Sequence, residues 1–391
     1  MKAISYTSDF YGDAFILDPL PHYAQMRAAG PVVWLEQNNA YAVARDAEVK
    51  DVLRRSDVFV SGKGLSLNDD VNAMLVGSTL NSDGDLHHTR RSITARPIMP
   101  KNIETLRGRI ETISEELAAS LSKKVRFDAV TEFAQVLPLA VVVDLVGLGD
   151  AGEGNMLKWA SATFNLFEGF NDRSKEAFSD LVGLQKFLSE HGKPEHLADG
   201  GLAKRIFEVA EEKGLTQSEA AQQMRDYINP SLDTTISAAG FAAYYFAKFP
   251  EQWDVLRKDP SLVANAVEEV VRMATPIRAF SRYVAQDTTI SGVDLPEGSR
   301  VIAVYASANR DDAVWEDPDT FDVRRVVRKH IGFGHGVHTC MGLHLARLEL
   351  ISLIRAMLPR VKRWHIEGQP AIAMNNTIRA FGYLPMRIEA A

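Results

Sequence analysis

The sequence predicts a mainly α-helical protein that carries small β-sheets beside a helical body. Three observations predict it. Apolar residues recur at helical spacing over most of the chain. Two stretches, 31–43 and 288–305, break that spacing with apolar runs on either side of turn-forming residues. The carboxy-terminal stretch 365–390 is extended and turn-rich. Such short sheets do not make a doubly wound core.

In chain order, the first stretch reads PVVWLEQNNAYAV and folds back at Gln37-Asn38-Asn39. The longest helix is expected from about 217 to 248. Thr216-Gln217-Ser218-Glu219 has the form of a capping box at its start, and Phe249-Pro250 stops it. On the order of thirty residues span roughly 45 Å, so the helix crosses the protein and its middle is buried. That middle contains Pro230, which has no N–H for the Asp226 carbonyl and is expected to kink the helix. It reads either as a break between two shorter helices or as an opening in the ladder beside a ligand site. The second hairpin, TTISGVDLPEGSRVIAVY, is expected to turn near Pro296-Glu297-Gly298.

Composition narrows the function. Apolar residues make up 46% of the 391 positions, enough for a large core. The formal net charge of -7 argues against a protein built to bind nucleic acid or a membrane surface by electrostatics. The amino terminus has no basic-then-apolar signal. No window approaches the ~18 uncharged apolar residues that a membrane helix needs. One cysteine excludes an internal disulfide and fits a reducing compartment. The expectation is a cytoplasmic monomer.

The chemistry concentrates in residues 331–349, IGFGHGVHTCMGLHLARLE. Glycines 332, 334, 336 and 342 surround Cys340, and a helical pattern follows. Glycines allow tight turns and the close approach of a flat ligand. A cysteine at a helix start has its thiolate favoured by the dipole and by free N–H groups. Taken alone, Cys340 is also compatible with a buried structural cysteine. His335, His338 and His344 leave a thiol nucleophile with a histidine partner open, whereas zinc lacks a second cysteine.

Phe333, Gly336, Cys340 and Gly342 stand in the spacing F-x-x-G-x-x-x-C-x-G, which resembles the haem-binding loop of the cytochrome P450 monooxygenases. Other motifs of that family follow its order. Glu269-Val270-Val271-Arg272 resembles the E-x-x-R helix, a buried structural pair. Ala308-Asn309-Arg310-Asp311, with Pro318, Phe321 and Arg324, resembles the segment before the meander. Asp83 to Arg91 resembles D-P-P-x-H-x-x-x-R, with Gly84 and Asp85 in place of the prolines. The resemblance covers the whole chain and implies one cytochrome P450 domain over 1–391, with a long central helix over the haem. It also implies haem b as cofactor, Cys340 as the iron ligand, Phe333 beside it, and His87, Arg91, Arg282 and His338 on the propionates. Carboxylates buried there need cationic partners.

The same resemblance assigns catalysis to Asp233 and Thr234, an acid–alcohol pair that delivers protons to bound O2. Pro230-Ser231 replace the small residues expected before it. Pocket segments, among them Phe164-Asn165-Leu166-Phe167 and Asn375-Asn376-Thr377-Ile378-Arg379, resemble P450s that oxidise para-substituted benzoates such as 4-methoxybenzoate. The expected substrate is therefore a small aromatic ether, phenol or acid. Lys63, Ser66, Phe164, Phe167, Asp226, Asn229, Phe280 and Arg379 are the expected substrate residues. A terpenoid-like substrate, a peroxide-driven enzyme and a haem-based gas sensor are the alternatives. No flavin, nicotinamide or iron–sulfur fingerprint is present, so the resemblance implies a ferredoxin and its reductase as electron donors. Arg90, Lys101, Arg324, Arg325, Arg328, Lys329 and His335 are the expected basic docking face.

Overall fold

A computed structural model describes residues 2–147, 153–167, 171–199 and 201–391, without the side chains of Asp144, Val146 and Asn229. Helices dominate it, and the sheets are small, as the hydrophobic spacing requires. The largest sheet has six strands in the spatial order Ile4–Tyr6, Val33–Leu35, Ala40–Val43, Arg300–Ala303, Phe280–Val284, Phe59–Val60. Its hairpin pairs Val33 with Ala42 and Leu35 with Ala40, turning through Glu36–Asn38 and the left-handed Asn39. The carboxy-terminal stretch supplies the remaining expected strands, with Val361–Ile366 antiparallel to Pro385–Ala390.

Two expectations are corrected. The hairpin near residue 290 turns at Ser291-Gly292, not at Pro296–Gly298. Ser291 and Gly292 both have positive φ (47° and 79°), the conformation of the two-residue turn that matches strand twist. Val293–Leu295 therefore pairs back onto Thr288–Ile290, while Arg300–Ala303 leaves to join the large sheet between Ala40–Val43 and Phe280–Val284.

The long helix is also divided, and not at the proline. Thr216 and Glu219 do form the capping box, with Glu219 accepting the Thr216 N–H at 2.8 Å. That helix ends at Gln223, and a second one runs Arg225–Lys248, with Met224 between them. The Met224 carbonyl accepts from Tyr227 N at 3.0 Å and Ile228 N at 3.2 Å, a tightened turn that redirects the chain. Pro230 lies inside the second helix, which stays helical through it. At about 1.5 Å per residue its 24 residues span about 36 Å. It packs against Val136–Val146, Glu153–Leu166, Val263–Ala274 and the strand Val361–Ile366, and so forms the axis of the helical body.

Glu269 and Arg272 have the structural role expected of them. Both side chains are fully buried, and Arg272 donates to Glu269 through two nitrogens at 2.7 and 2.8 Å. The same guanidinium also donates to the Asn309 and Pro318 carbonyls at 2.8 and 2.9 Å. A buried ion pair costs desolvation unless its remaining donors are met. Here they tie the Val263–Ala274 helix to the irregular segment that leads into the cysteine loop.

Candidate active site

The cysteine loop is shaped by its glycines. Gly334 and Gly336 have φ of +75° and +73°. A Cβ on Gly336 would meet the Leu53 carbonyl oxygen at 2.3 Å. The loop closes on itself where Cys340 N donates to the Phe333 carbonyl at 2.8 Å. The helix Leu343–Met357 starts directly behind it, so the sulfur faces the N–H groups of Gly342 and Leu343. Burial pushes the Cys340 thiol up, and the Gly342 N–H and the nearby Arg91 charge pull the other way. A thiol of this kind becomes a thiolate when a cation takes the sulfur.

One cavity joins this loop to the central helix. Cys340, Phe333, Gly332, Met341 and Leu345 form one wall. Pro230, Ser231, Thr234, Thr235 and Ala238 form the other. Arg91, Arg282 and His338 also line it. Arg91 donates to the Thr339 carbonyl at 2.6 Å, and Arg282 to the Ser281 carbonyl at 2.7 Å. His87 lies behind His338, with ring centroids 4.2 Å apart, and does not itself reach the cavity. Its buried Nε2 has no hydrogen-bond partner among the described residues. Burial, with Arg91 next, holds the His87 pKa down to about 4. Burial, with Arg282 next, holds His338 down to about 2. The lining thus gathers cations and N–H donors in one cavity with a cysteine sulfur. Such a donor set suits two carboxylates on a flat metal-bearing ring, so the residues fit haem b.

On the central helix, the Thr234 hydroxyl donates to the Pro230 carbonyl at 2.7 Å, and the same threonine lines the cavity. Asp233 is adjacent but does not line it. Its carboxyl has no hydrogen bond among the described residues, and burial raises its pKa to about 7. Above this wall stand three aromatic rings. Phe164 and Phe167 are edge to face at 5.6 Å, and Phe167 and Phe280 at 5.5 Å. All three line the cavity. Its far end is polar, formed by Ser78, Thr79, Arg225 and Asp226.

Several expected substrate residues lie elsewhere. Lys63 is exposed, with its ammonium 5.8 Å from the Tyr283 ring centroid. Ser66 is buried but turned into its own loop, where its hydroxyl accepts the Asn68 N–H at 3.1 Å. Arg379 donates to the Met273 and Ala274 carbonyls at 3.2 and 3.3 Å, and its guanidinium stacks 4.5 Å from the Phe241 ring centroid. None of the three lines the cavity. Asn229's side chain lies outside the described residues. Arg325, expected on a docking face, is committed to Glu269 at 3.0 Å. Lys101, Arg324, Arg328 and Lys329 are exposed. Sequence reasoning missed Thr79, Tyr305 and Glu349, which line the cavity.

Fold and site together define a haem-thiolate protein. A family profile described as cytochrome P450 matches residues 161–378. Cytochrome p450 CYP199A2 of Rhodopseudomonas palustris is 33% identical over 381 residues, covering 96% of this chain and 92% of that one. The 6-deoxyerythronolide B hydroxylase of Saccharopolyspora erythraea is 27% identical, covering 97% of this chain and 98% of that one. Among solved structures, CYP109B1 from Bacillus subtilis superposes with a TM-score of 0.80 at 28% identity, over 95% of this chain and 100% of that one. The chain belongs to the cytochrome P450 family. It is a haem-thiolate monooxygenase, and haem b is its cofactor. Among the described residues, no helix is long and apolar enough to cross a membrane.

Proposed function

We propose that this monooxygenase inserts one oxygen atom from O2 into a small aromatic substrate, by hydroxylation or by oxidative O-demethylation of a methoxy-aromatic acid or phenol. The observation that carries this reading is the trio Phe164, Phe167 and Phe280, in which Phe167 stands edge to face with both others in the cavity that Thr234 also lines. Aromatic rings prefer such offset and edge contacts. A flat ring held there presents its substituent toward Thr234 and Cys340. The resemblance of the Phe164–Phe167 segment to P450s that act on para-substituted benzoates supports the same reading.

The haem bound through Cys340 supplies oxygen binding and C–H oxidation, with the thiolate donating electron density. The protein's own contribution is positioning and proton supply. The phenylalanines and Leu65 exclude water and fix the ring plane. Thr234 has its hydroxyl proton committed to the Pro230 carbonyl and keeps its oxygen available to a water on the cavity side. Asp233, poised near neutrality, holds a proton and can release it under working conditions. One oxygen atom goes to the substrate, and the other leaves as water with two electrons and two protons. We infer that a ferredoxin and its reductase bring those electrons, to the exposed Lys101, Arg324, Arg328 and Lys329.

Turnover with such a donor pair and a para-methoxy aromatic tests the reading. Formaldehyde and the demethylated phenol are expected in equal amounts. A terpenoid that shifts the Soret band while no aromatic does so overturns it.

A further inference from the structure

The polar end of the cavity has a composition that the family resemblance does not supply. Asp226, Pro230, Thr234 and Ala238 follow one another at four-residue intervals along the cavity face of the central helix. Asp226 therefore sits two turns from Thr234, about 12 Å along the axis, which leaves room between them for a ring with short substituents. Its carboxyl accepts the Thr79 backbone N–H at 2.9 Å; burial pushes its pKa up, and the Thr79 hydroxyl and N–H, then Arg225 and Arg90, pull the other way. It forms no ion pair among the described residues, although Arg225 and Arg90 are close enough to act on its charge. Arg225 stands at the same end. It donates Nε to the Gln222 carbonyl at 3.3 Å and Nη2 to the Val76 carbonyl at 3.4 Å, and Nη1 makes no hydrogen bond within the described residues. Lys63 and Arg379, the cations among the expected substrate residues, do not line the cavity.

We propose that Asp226 is a specificity-determining residue that selects aromatic substrates bearing a neutral hydroxyl, a phenol, over the corresponding benzoates. The inference rests on the aromatic reading above and sharpens it. A phenolic O–H donates to the Asp226 carboxylate, a short charge-assisted bond, and its oxygen accepts from Arg225. A benzoate in the same place meets Arg225 but sets its carboxylate against the Asp226 carboxyl in an enclosed site, where one of the two must hold a proton or lose its partner. An ammonium meets Arg225 and Arg90. A ring with no polar substituent leaves the Asp226 carboxylate desolvated without compensation.

Binding titrations of the haem-loaded protein, followed by the Soret shift, decide it with three probes: para-methoxyphenol, para-methoxybenzoate and methoxybenzene. Para-methoxyphenol is expected to bind about tenfold more tightly than either of the others. In Asp226→Asn, which keeps the side chain's shape, the order is expected to invert, with the phenol weakened and the benzoate strengthened by about tenfold each. If the wild-type protein binds the benzoate or methoxybenzene as tightly as the phenol, the inference is overturned and the aromatic reading stands. If none of the three shifts the Soret band, the aromatic reading itself fails, and this inference with it. Should Asp226→Asn not take up haem, the wild-type order alone decides.

Discussion

Replacing Asp233 with asparagine should change how stability depends on pH. Burial holds the Asp233 pKa at about 7, against 3.8 for an ordinary aspartate. The gap corresponds to at most about 4 kcal/mol, at about 1.36 kcal/mol per pH unit. Between those two values the unfolded chain has lost this proton and the folded protein keeps it. The unfolded state then binds fewer protons, so stability falls as pH rises. The favourable contribution is complete below pH 3.8 and is lost as pH climbs through about 7. Asparagine has the same shape and cannot titrate. Relative to Asp233→Asn, the wild-type protein should lose about 2–3 kcal/mol between about pH 5 and pH 8. Urea unfolding followed by circular dichroism at several pH values measures this directly. A difference between the two proteins that stays constant across that range refutes the assignment of Asp233 as a buried acid poised near neutrality. The proton-delivery role falls with it.

Other expectations follow from the same geometry. Burial raises the Glu268 pKa, but hydrogen bonds from His330 at 2.9 Å and Arg347 at 2.6 Å outweigh it and bring the group to about 2. Its contribution is present above pH 4.5 and lost as pH falls toward 2. Glu268→Gln should therefore cost about 3 kcal/mol at neutral pH in urea unfolding and progressively less in acid; an unchanged neutral-pH midpoint contradicts it. Thr234→Ala should leave haem uptake intact but divert reducing equivalents into hydrogen peroxide, measured as peroxide formed per NADH consumed; full coupling contradicts the role. Phe167→Ala should weaken binding of the best aromatic probe about tenfold, with equal affinity as the contrary result.

The sequence shows most clearly where one residue type is the only solution. The glycines around Cys340 and the buried Glu269–Arg272 pair are such cases, because a flat ligand and a buried charge each demand specific neighbours. Turns were less legible. Ser291-Gly292 adopts positive φ at two successive residues, a signal overshadowed by the Pro296-Glu297-Gly298 cluster. The break at Met224 has no local marker, since methionine is a good helix former and the turn shows only in its carbonyl taking both the Tyr227 and Ile228 N–H groups. Side-chain direction was the least legible. Lys63 and Arg379 occur in segments that resemble pocket segments, yet Lys63 points to solvent and Arg379 caps a helix end. Segment resemblance places a backbone, and the carbonyls nearby decide where a long cationic side chain spends its donors.

The central claim is that Cys340 is the iron ligand, and one spectrum tests it. The reduced, carbon-monoxide-bound wild-type protein should show the Soret position diagnostic of thiolate ligation. Cys340→Ser should lose that band while keeping helical circular dichroism. A thiolate-type band that survives in Cys340→Ser, or its absence from the haem-loaded wild-type protein, would contradict the account.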